Sequence, residues 1–387
     1  MNQSSTVFVG MDVHKASIEI ALADGMGEAR RYGEVCGDAA SVDRVVRKLR
    51  SAHRQLMFVY EAGPCGFWIY RRLSAQGLAC MVVSPSMRPK RAGERVKTDR
   101  RDAVRLARLA RAGELTAIYV PDERDEAMRD LVRAREDAVA MQRQARHRLQ
   151  ALLLRNEIRY PKKTTWTAAH RRWIAHIKLS QAPQQIAFEE YVLAIEEASA
   201  RLERLTTAIS AALGHWRWRP VVAALQALRG IRELHAVRIV AELGDLSRFE
   251  SPRQLMGYLG LIPSENSSGQ RRRQGSITKA GNSSARRALV EAAHVYRFPA
   301  RVSRGIAQRQ THIDPKLCAI AWKAQLRLCT RFRRLAARGL HPNKVVVAIA
   351  RELSGFVWAI AREVKPLPTT RIGLKVEPPA QPVTREH

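Results

Sequence analysis

The sequence predicts an α/β domain at the N-terminus followed by an all-α remainder, and three observations point there. Short apolar, β-branched runs alternate with amphipathic helical segments over the first third of the chain. Beyond about residue 119 the apolar spacing changes to a sustained heptad period, and after about residue 216 it becomes that of ordinary helices joined by short loops. These changes divide the 387 residues into 1–118, an α/β domain; 119–215, a coiled-coil helical region; 216–365, a helical C-terminal domain; and 366–387, a tail with five prolines that reads as disordered.

Composition narrows the partner. The chain carries 67 Lys and Arg against 36 Asp and Glu, a net charge of +31 and a pI near 11.1. The excess is spread along the whole chain, which favours nucleic acid over a membrane surface bound through one local basic helix. Five cysteines form no CxxC pair, so neither a disulfide framework nor a zinc knuckle is supported, and a reducing cytoplasm fits. No signal peptide opens the chain and no apolar run reaches the ~18 residues a spanning helix needs, so no membrane partner is expected.

In the first domain, Val7 to Val13 and Ser17 to Ala23 read as two strands of a hairpin turning at His14-Lys15-Ala16, and Arg31 to Val35 reads as a third strand. Asp43 to Leu49 is amphipathic, Leu56 to Glu61 is a buried strand, Phe67 to Gln76 is a helix after the Gly63-Pro64-Cys65-Gly66 turn, and Ala79 to Ser84 is another strand. Strands that begin antiparallel and then alternate with helices describe a ribonuclease H-like sheet. There the first and fourth strands are neighbours, so Asp12 and Glu61 are expected to face one cation. Asp99 and Asp102, in Lys97-Thr98-Asp99-Arg100-Arg101-Asp102, are spaced i, i+3 and share a helix face. Four carboxylates from two strand ends and one helix form an oxygen-rich set suited to a hard cation such as Mg²⁺. Each acid taken alone is more often a solvated or capping residue. The set stands out because these acids lie inside apolar runs or among arginines in a strongly basic chain. The basic loop before this helix, with Lys90, Arg91, Arg95 and Lys97, is where a phosphate backbone would approach, although charge runs are often merely solvated.

The helical region opens with Asp122 to about Glu157, where Leu131, Ala138, Ala145 and Leu152 recur every seven residues and Arg148 breaks the companion seam. A second stretch carries Phe188, Ile195, Leu202 and Ile209, with Tyr191, Ala198, Leu205 and Ala212 three residues on. This predicts a coiled-coil helical hairpin, self-packed or pairing with a second copy, against the alternative of amphipathic helices on a globular core. Between them, Trp166 to Trp173 mixes aromatic and basic residues, either to stack on nucleic-acid bases or as local core.

In the last domain Leu228 to Ile231, then His235 to Gly244, resembles a helix-hairpin-helix, with Arg232 where the second hairpin glycine belongs. Ser264 to Asn282 reads as a loop with Ser267 and Ser268 beside Gly269, then Arg271, Arg272, Arg273 and Lys279, followed by Arg286 and Arg287. A hydroxyl among fixed cations is a plausible nucleophile toward phosphorus, because the cations stabilise charge building on the phosphoryl oxygens; the bland reading is a non-catalytic phosphate-binding turn. Two helices, Pro315 to about Ala337 and Pro342 to about Glu363, close the domain.

Taken in order, Asp12, Glu61, Thr98 to Ala103 (TDxxDA), the heptads, Gly260 to Pro263 (GLxP), Ser268-Gly269, Lys279 to Asn282 (KxGN) and Arg286 to Leu289 (RRxL) resemble the insertion sequence one-ten (IS one-ten) transposases, to which pilin-gene invertases are related. The pattern covers nearly the whole chain. The resemblance implies an N-terminal RuvC-like domain whose DEDD tetrad, here Asp12, Glu61, Asp99 and Asp102, binds Mg²⁺, and a C-terminal transposase domain with a catalytic serine at Ser268, with Ser267 its neighbour. It implies an RNA-guided recombinase acting in the bacterial cytoplasm on donor and target double-stranded DNA, with a structured non-coding guide RNA, as a homo-oligomer joined through the coiled coil. Arg271, Arg272, Arg273 and Lys279 would then clamp phosphates. Two other readings remain open at this point, a RuvC-like endonuclease that cuts branched DNA with the carboxylates alone, and a non-catalytic nucleic-acid scaffold.

Overall fold

The computed structural model describes residues 6–25, 27–53, 55–85, 98–265 and 273–368. Its first domain is a five-stranded sheet of order β3-β2-β1-β4-β5. β1 (Val7–Val13) and β2 (Ser17–Ala23) are antiparallel, and His14 N–H donates to the Ser17 carbonyl at 2.9 Å to close their turn. β3 (Arg30–Cys36) pairs with β2, while β4 (Leu56–Glu61) and β5 (Ala79–Val83) add in parallel on the other side of β1.

The pleat of period two sorts the strand residues between two faces. Val7, Val9 and Met11 of β1 and Leu56, Phe58 and Tyr60 of β4 bury against α1 (Ala39–Ala52) and α2 (Trp68–Ala75). The helix read from Asp43 to Leu49 is longer at both ends: Asp38 caps its start, accepting from Ser41 N at 2.9 Å, and at its end His53 N–H donates to the Leu49 carbonyl at 2.9 Å. Phe8, Gly10 and Asp12, with Val59 and Glu61, therefore belong to the opposite face, which α3 (Asp99–Arg111) covers through Ala103, Leu106, Ala107 and Ala110.

Two long helices follow. α4 (Glu123–Arg155), capped by Asp122, packs antiparallel to α6 (Ala182–Leu213): Arg135 bonds Thr206 and Gln142 bonds Ser199, both at 2.8 Å. The heptad residues Ala138, Ala145, Leu152, Phe188, Ile195 and Ile209 are buried, whereas Ala212 of the companion position is exposed. α5 (Ala168–Ala175) closes the far end, where His170 is buried among Tyr160, Trp166 and Trp173. Of the two roles left open for Trp166 to Trp173, the rings take that of local core.

The C-terminal domain is built on α7 (Arg219–Leu225), α8 (Glu233–Leu243), α9 (Pro252–Tyr258), α10 (Ser283–Ala293), α11 (Arg304–Gln310), α12 (Pro315–Ala337) and α13 (Pro342–Arg362) around the largest apolar core. The segment read as one loop from Ser264 to Asn282 instead contributes a two-stranded ribbon, β6 (Pro263–Glu265) paired with β7 (Gln274–Ile277). Sequence periodicity is blind to strands of three and four residues, which are fixed by pairing with each other. The N-terminus of α4 is tied to this core by Asp125, which accepts from the indole N–H groups of Trp216 (2.8 Å) and Trp218 (3.0 Å) and pairs with Arg217. No described helix is long and apolar enough to cross a membrane. The tail from residue 369 onward lies outside the described residues.

Candidate functional site

Three elements deliver four acids to one end of the sheet. Asp12 lies beyond Gly10 on the α3 face of β1. Glu61 ends β4 next door, one residue past the Met11–Tyr60 pair of the parallel register. Small side chains explain how α3 comes close enough to complete the set. A Cβ on Gly10 would lie 2.2 Å from the Ala103 carbonyl oxygen and 2.5 Å from Ala107 N, so the helix backbone rests directly on the strand. That approach sets the first turn of α3, capped by Thr98 and carrying Asp99 and Asp102, over the strand end. Asp102 is 7% exposed and Asp99 has a side chain 62% exposed, so one acid faces the sheet and the other the solvent rim.

Two of the carboxylates, those of Asp12 and Asp99, meet around a residue that lies in the β1–β2 turn, while Glu61 and Asp102 are not part of that close group. His14 Nε2 lies 3.3 Å from Asp12 Oδ2 and 3.5 Å from Asp99 Oδ1, and one ligand atom from each of the three residues falls within 4.8 Å of the others. Burial raises the Asp12 carboxyl above its ordinary value; His14 opposes this, and the like charges of Asp102 and Asp99 reinforce it. The site thus concentrates negative charge in a partly desolvated place, an electrostatic debt that a divalent cation would relieve. Glu61 Oε1 is closed off from solvent at the same strand end. The donor set, carboxylate oxygens plus one imidazole, fits a divalent metal ion on its chemistry.

A fifth acid is present on this face. Glu19 of β2 is directly opposite Asp12, so both point to the same side of the sheet, and it is buried. Arg31 of β3 engages both of its oxygens, Nη2 to Oε2 at 3.0 Å, which neutralises it and keeps it apart from the others. Alternation along β2 and the hairpin register could have found Glu19. His14 had a signal only in its separation of two residues from Asp12.

In the C-terminal domain the short motifs are one packed unit. Gly260 of GLxP has φ of +62°, and a Cβ there would meet Ala280 O at 2.3 Å; Gly281 of KxGN has φ of +74° and is pressed on the Tyr258 carbonyl. Only glycine tolerates both the left-handed conformation and the contact. Asn282 caps α10, accepting from Ala285 N at 2.9 Å, and its amide donates to Glu242 at 2.6 Å. Glu242, buried, also takes both ends of the Arg133 guanidinium at 2.8 and 2.9 Å. Burial alone would raise its carboxyl, but the hydrogen bonds from Arg133 and Asn282 hold it below the ordinary value. Arg286 is directed inward, onto the carbonyls of Leu259 (2.8 Å) and Ala280 (3.1 Å), while Arg273, Lys279 and Arg287 are exposed. The glycine of the hairpin element, Gly230, is accounted for by packing against the Ala292 carbonyl. Ser267, Ser268, Arg271 and Arg272, between β6 and β7, and Lys90, Arg91, Arg95 and Lys97, before α3, lie outside the described residues.

Comparison with known proteins gives consistent relatives. The family described as "Transposase IS116/IS110/IS902 family" matches residues 222–306, and an IS110-type DEDD domain described as "Transposase" matches residues 9–156. The chain is 46% identical over 360 residues to the transposase-named protein y4qE of Sinorhizobium fredii, covering 92% of this chain and 89% of that one. It is 29% identical over 333 residues to the transposase for insertion sequence element IS1533 of Leptospira borgpetersenii, covering 85% of this chain and 96% of the relative. To the transposase for insertion sequence element IS1328 of Yersinia enterocolitica it is 23% identical over 379 residues, covering 93% and 98%.

Proposed function

We propose, from the premise that this chain belongs to the IS116/IS110/IS902 family of insertion-sequence transposases, that it breaks and rejoins DNA with a metal-binding acidic tetrad and a serine nucleophile. As a transposase with a DEDD domain it is an enzyme of phosphoryl transfer whose substrate is DNA. The single observation that carries the finer reading is the convergence of Asp12, Glu61 and the first turn of α3 on one face of the sheet.

Asp12, Glu61, Asp99 and Asp102 would hold the cation, with Mg²⁺ the abundant hard ion that fits them. Bound there, it supplies Lewis-acid polarisation of a phosphoryl oxygen and neutralises developing charge. The chain's own residues do the rest. The Oγ of Ser268, or of its neighbour Ser267, forms a bond to phosphorus as the P–O bond to a deoxyribose oxygen breaks, and the serine proton passes to the departing sugar oxygen. The protein–DNA ester keeps the phosphodiester's energy, so attack by another strand's hydroxyl reverses the step and joins new ends. Arg271, Arg272, Arg273, Lys279 and Arg287 hold the phosphates, and Lys90, Arg91, Arg95 and Lys97 track the backbone beside the acids. Arg286 anchors the loop through Nη1, which donates to the Leu259 and Ala280 carbonyls, and its Nε and Nη2 donors would add to the phosphate contacts. Sequence choice is assigned, through the family resemblance, to a structured guide RNA that pairs with donor and target while the protein reads shape and backbone. The exposed face of α6 would join copies of the chain, and acids and serine would meet between subunits.

Two variants test this on a DNA substrate with purified protein. Ser268→Ala should abolish both joining and the covalent protein–DNA adduct seen on a denaturing gel, whereas Asp12→Asn should abolish cleavage. A Ser268→Ala protein that still cuts would establish instead a metal-only endonuclease of the resolvase type. An Asp12→Asn protein that still recombines would make the acids structural and the chain a scaffold. Sequencing the RNA that co-purifies tests the guide; only random fragments would remove it.

A further inference from the structure

We propose that His14 is a nitrogen ligand of the cation held by Asp12 and Asp99, and that it raises the site's affinity for Mn²⁺-like transition ions relative to Mg²⁺ and Ca²⁺ above what the carboxylates alone would give. This rests on the metal-site reading above and adds a ligand outside the acidic tetrad. The geometry comes first. An ion bonded at about 2.1 Å separates neighbouring ligand atoms by roughly 3.0 Å at a right angle and about 3.4 Å at the tetrahedral angle. His14 Nε2 stands 3.3 Å from Asp12 Oδ2, within hydrogen-bond reach, and 3.5 Å from Asp99 Oδ1, distances that are also those of ligand atoms arranged around one cation. The turn that carries the ring is anchored, since His14 N–H donates to Ser17 O at 2.9 Å. The ring bridges a strand residue and a helix residue whose elements are locked together at Gly10. The imidazole is half exposed, which leaves an entry path from solvent on its side of the site.

The chemistry then sets the preference. Mg²⁺ and Ca²⁺ are hard ions that favour oxygen throughout, and Ca²⁺ asks for six to eight such ligands. Imidazole is a better donor to first-row transition ions. An Nε2 ligand in place of a water oxygen therefore gains Mn²⁺ more than it gains Mg²⁺ or Ca²⁺. Glu19 cannot supply an oxygen in its place, because Arg31 occupies both of its own.

The test uses the full-length protein and Mn²⁺ as the probe, followed by electron paramagnetic resonance with Mg²⁺ and Ca²⁺ as competitors. Pulsed spectra of bound Mn²⁺ should show nitrogen modulation that disappears in His14→Ala. That variant should bind Mn²⁺ at least about tenfold more weakly, the loss expected when even an outer-shell partner of a metal is removed. Its Mg²⁺ affinity should change much less, so the ratio of the two affinities collapses. Circular dichroism of the variant checks that it folds, and His14→Gln provides a second substitution with a similar span. Nitrogen modulation absent from the wild type, or an Mn²⁺ to Mg²⁺ ratio unchanged in both variants, overturns the inference. Asp12→Asn separates the two levels: if it loses Mn²⁺ while His14→Ala changes nothing, only the role of His14 fails, and if it keeps full Mn²⁺ binding, the metal-site reading itself fails.

Discussion

Gly10→Ala is the most exacting perturbation of this arrangement, because it adds one methyl group where the strand and α3 touch by backbone. The new Cβ would sit 2.2 Å from Ala103 O and 2.5 Å from Ala107 N. Neither opposing atom can rotate away, so relief requires α3 to withdraw by about 1 Å, the overpacking regime that costs roughly 1–3 kcal/mol. For a chain of this size that lowers Tm by about 1–4 °C. The same withdrawal carries Asp99 and Asp102 away from Asp12 and His14, since all of α3 moves as one rigid element. A 1 Å misplacement of groups around a reacting centre reduces turnover by roughly a hundredfold, so strand cleavage should fall far more than stability does. Thermal unfolding, divalent-ion titration and a cleavage assay on one preparation would measure the three effects together. Gly27→Ala is the control, since its Cβ would meet nothing nearer than 3.9 Å. If Gly10→Ala melts with the wild type and binds metal equally well, the close approach of α3 is not what assembles the acids.

Removing Asp125, as Asp125→Ala, strands the indole N–H groups of Trp216 and Trp218 and takes one of two carboxylate partners from Arg217, which keeps Asp122 at 3.0 Å; a loss of about 2–5 kcal/mol is expected from the two unpaired buried donors, and denaturant unfolding that finds under about 1 kcal/mol would contradict it. Asn282→Ala removes the cap of α10 and one of the donors to Glu242, so it should cost about 1–2 kcal/mol, read by the same unfolding curves. The pH dependence has a definite sign at Glu242, whose carboxyl is held below its ordinary value in the folded protein. Its contribution is fully present above the unfolded value near 4.5 and is lost as pH falls through the lower folded value. Melting curves taken downward from about pH 5 should therefore drop more steeply for the wild type than for Glu242→Gln; parallel curves would show that Glu242 does not carry the effect.

How much was legible in advance follows from the range of each interaction. The strand order could be read because alternation, turn residues and run lengths are local, and Asp12 and Glu61 end up on one face because the pleat has period two. The heptads of α4 and α6 were legible for the same reason: Ala138, Ala145, Leu152, Phe188, Ile195 and Ile209 of that spacing are buried, although Val132, Leu149, Leu153 and Leu213 are buried outside it. The short ribbon of β6 and β7 was not, because its strands exist only through each other. The same limit applies to Arg286, whose partners Leu259 and Ala280 lie outside any helical or strand spacing.

Motif spacing and periodicity are properties of the chain alone, so the family, the α/β to all-α order and four acids to propose as a site could be read from it. Only tertiary structure decided that Gly10 lets α3 descend onto the sheet, that Arg31 withdraws Glu19 from the set, and that His14 stands between Asp12 and Asp99. Each of those facts joins elements whose separation along the chain carries no periodic signal, and each is settled by distances of a few ångströms that exist only after the elements have packed.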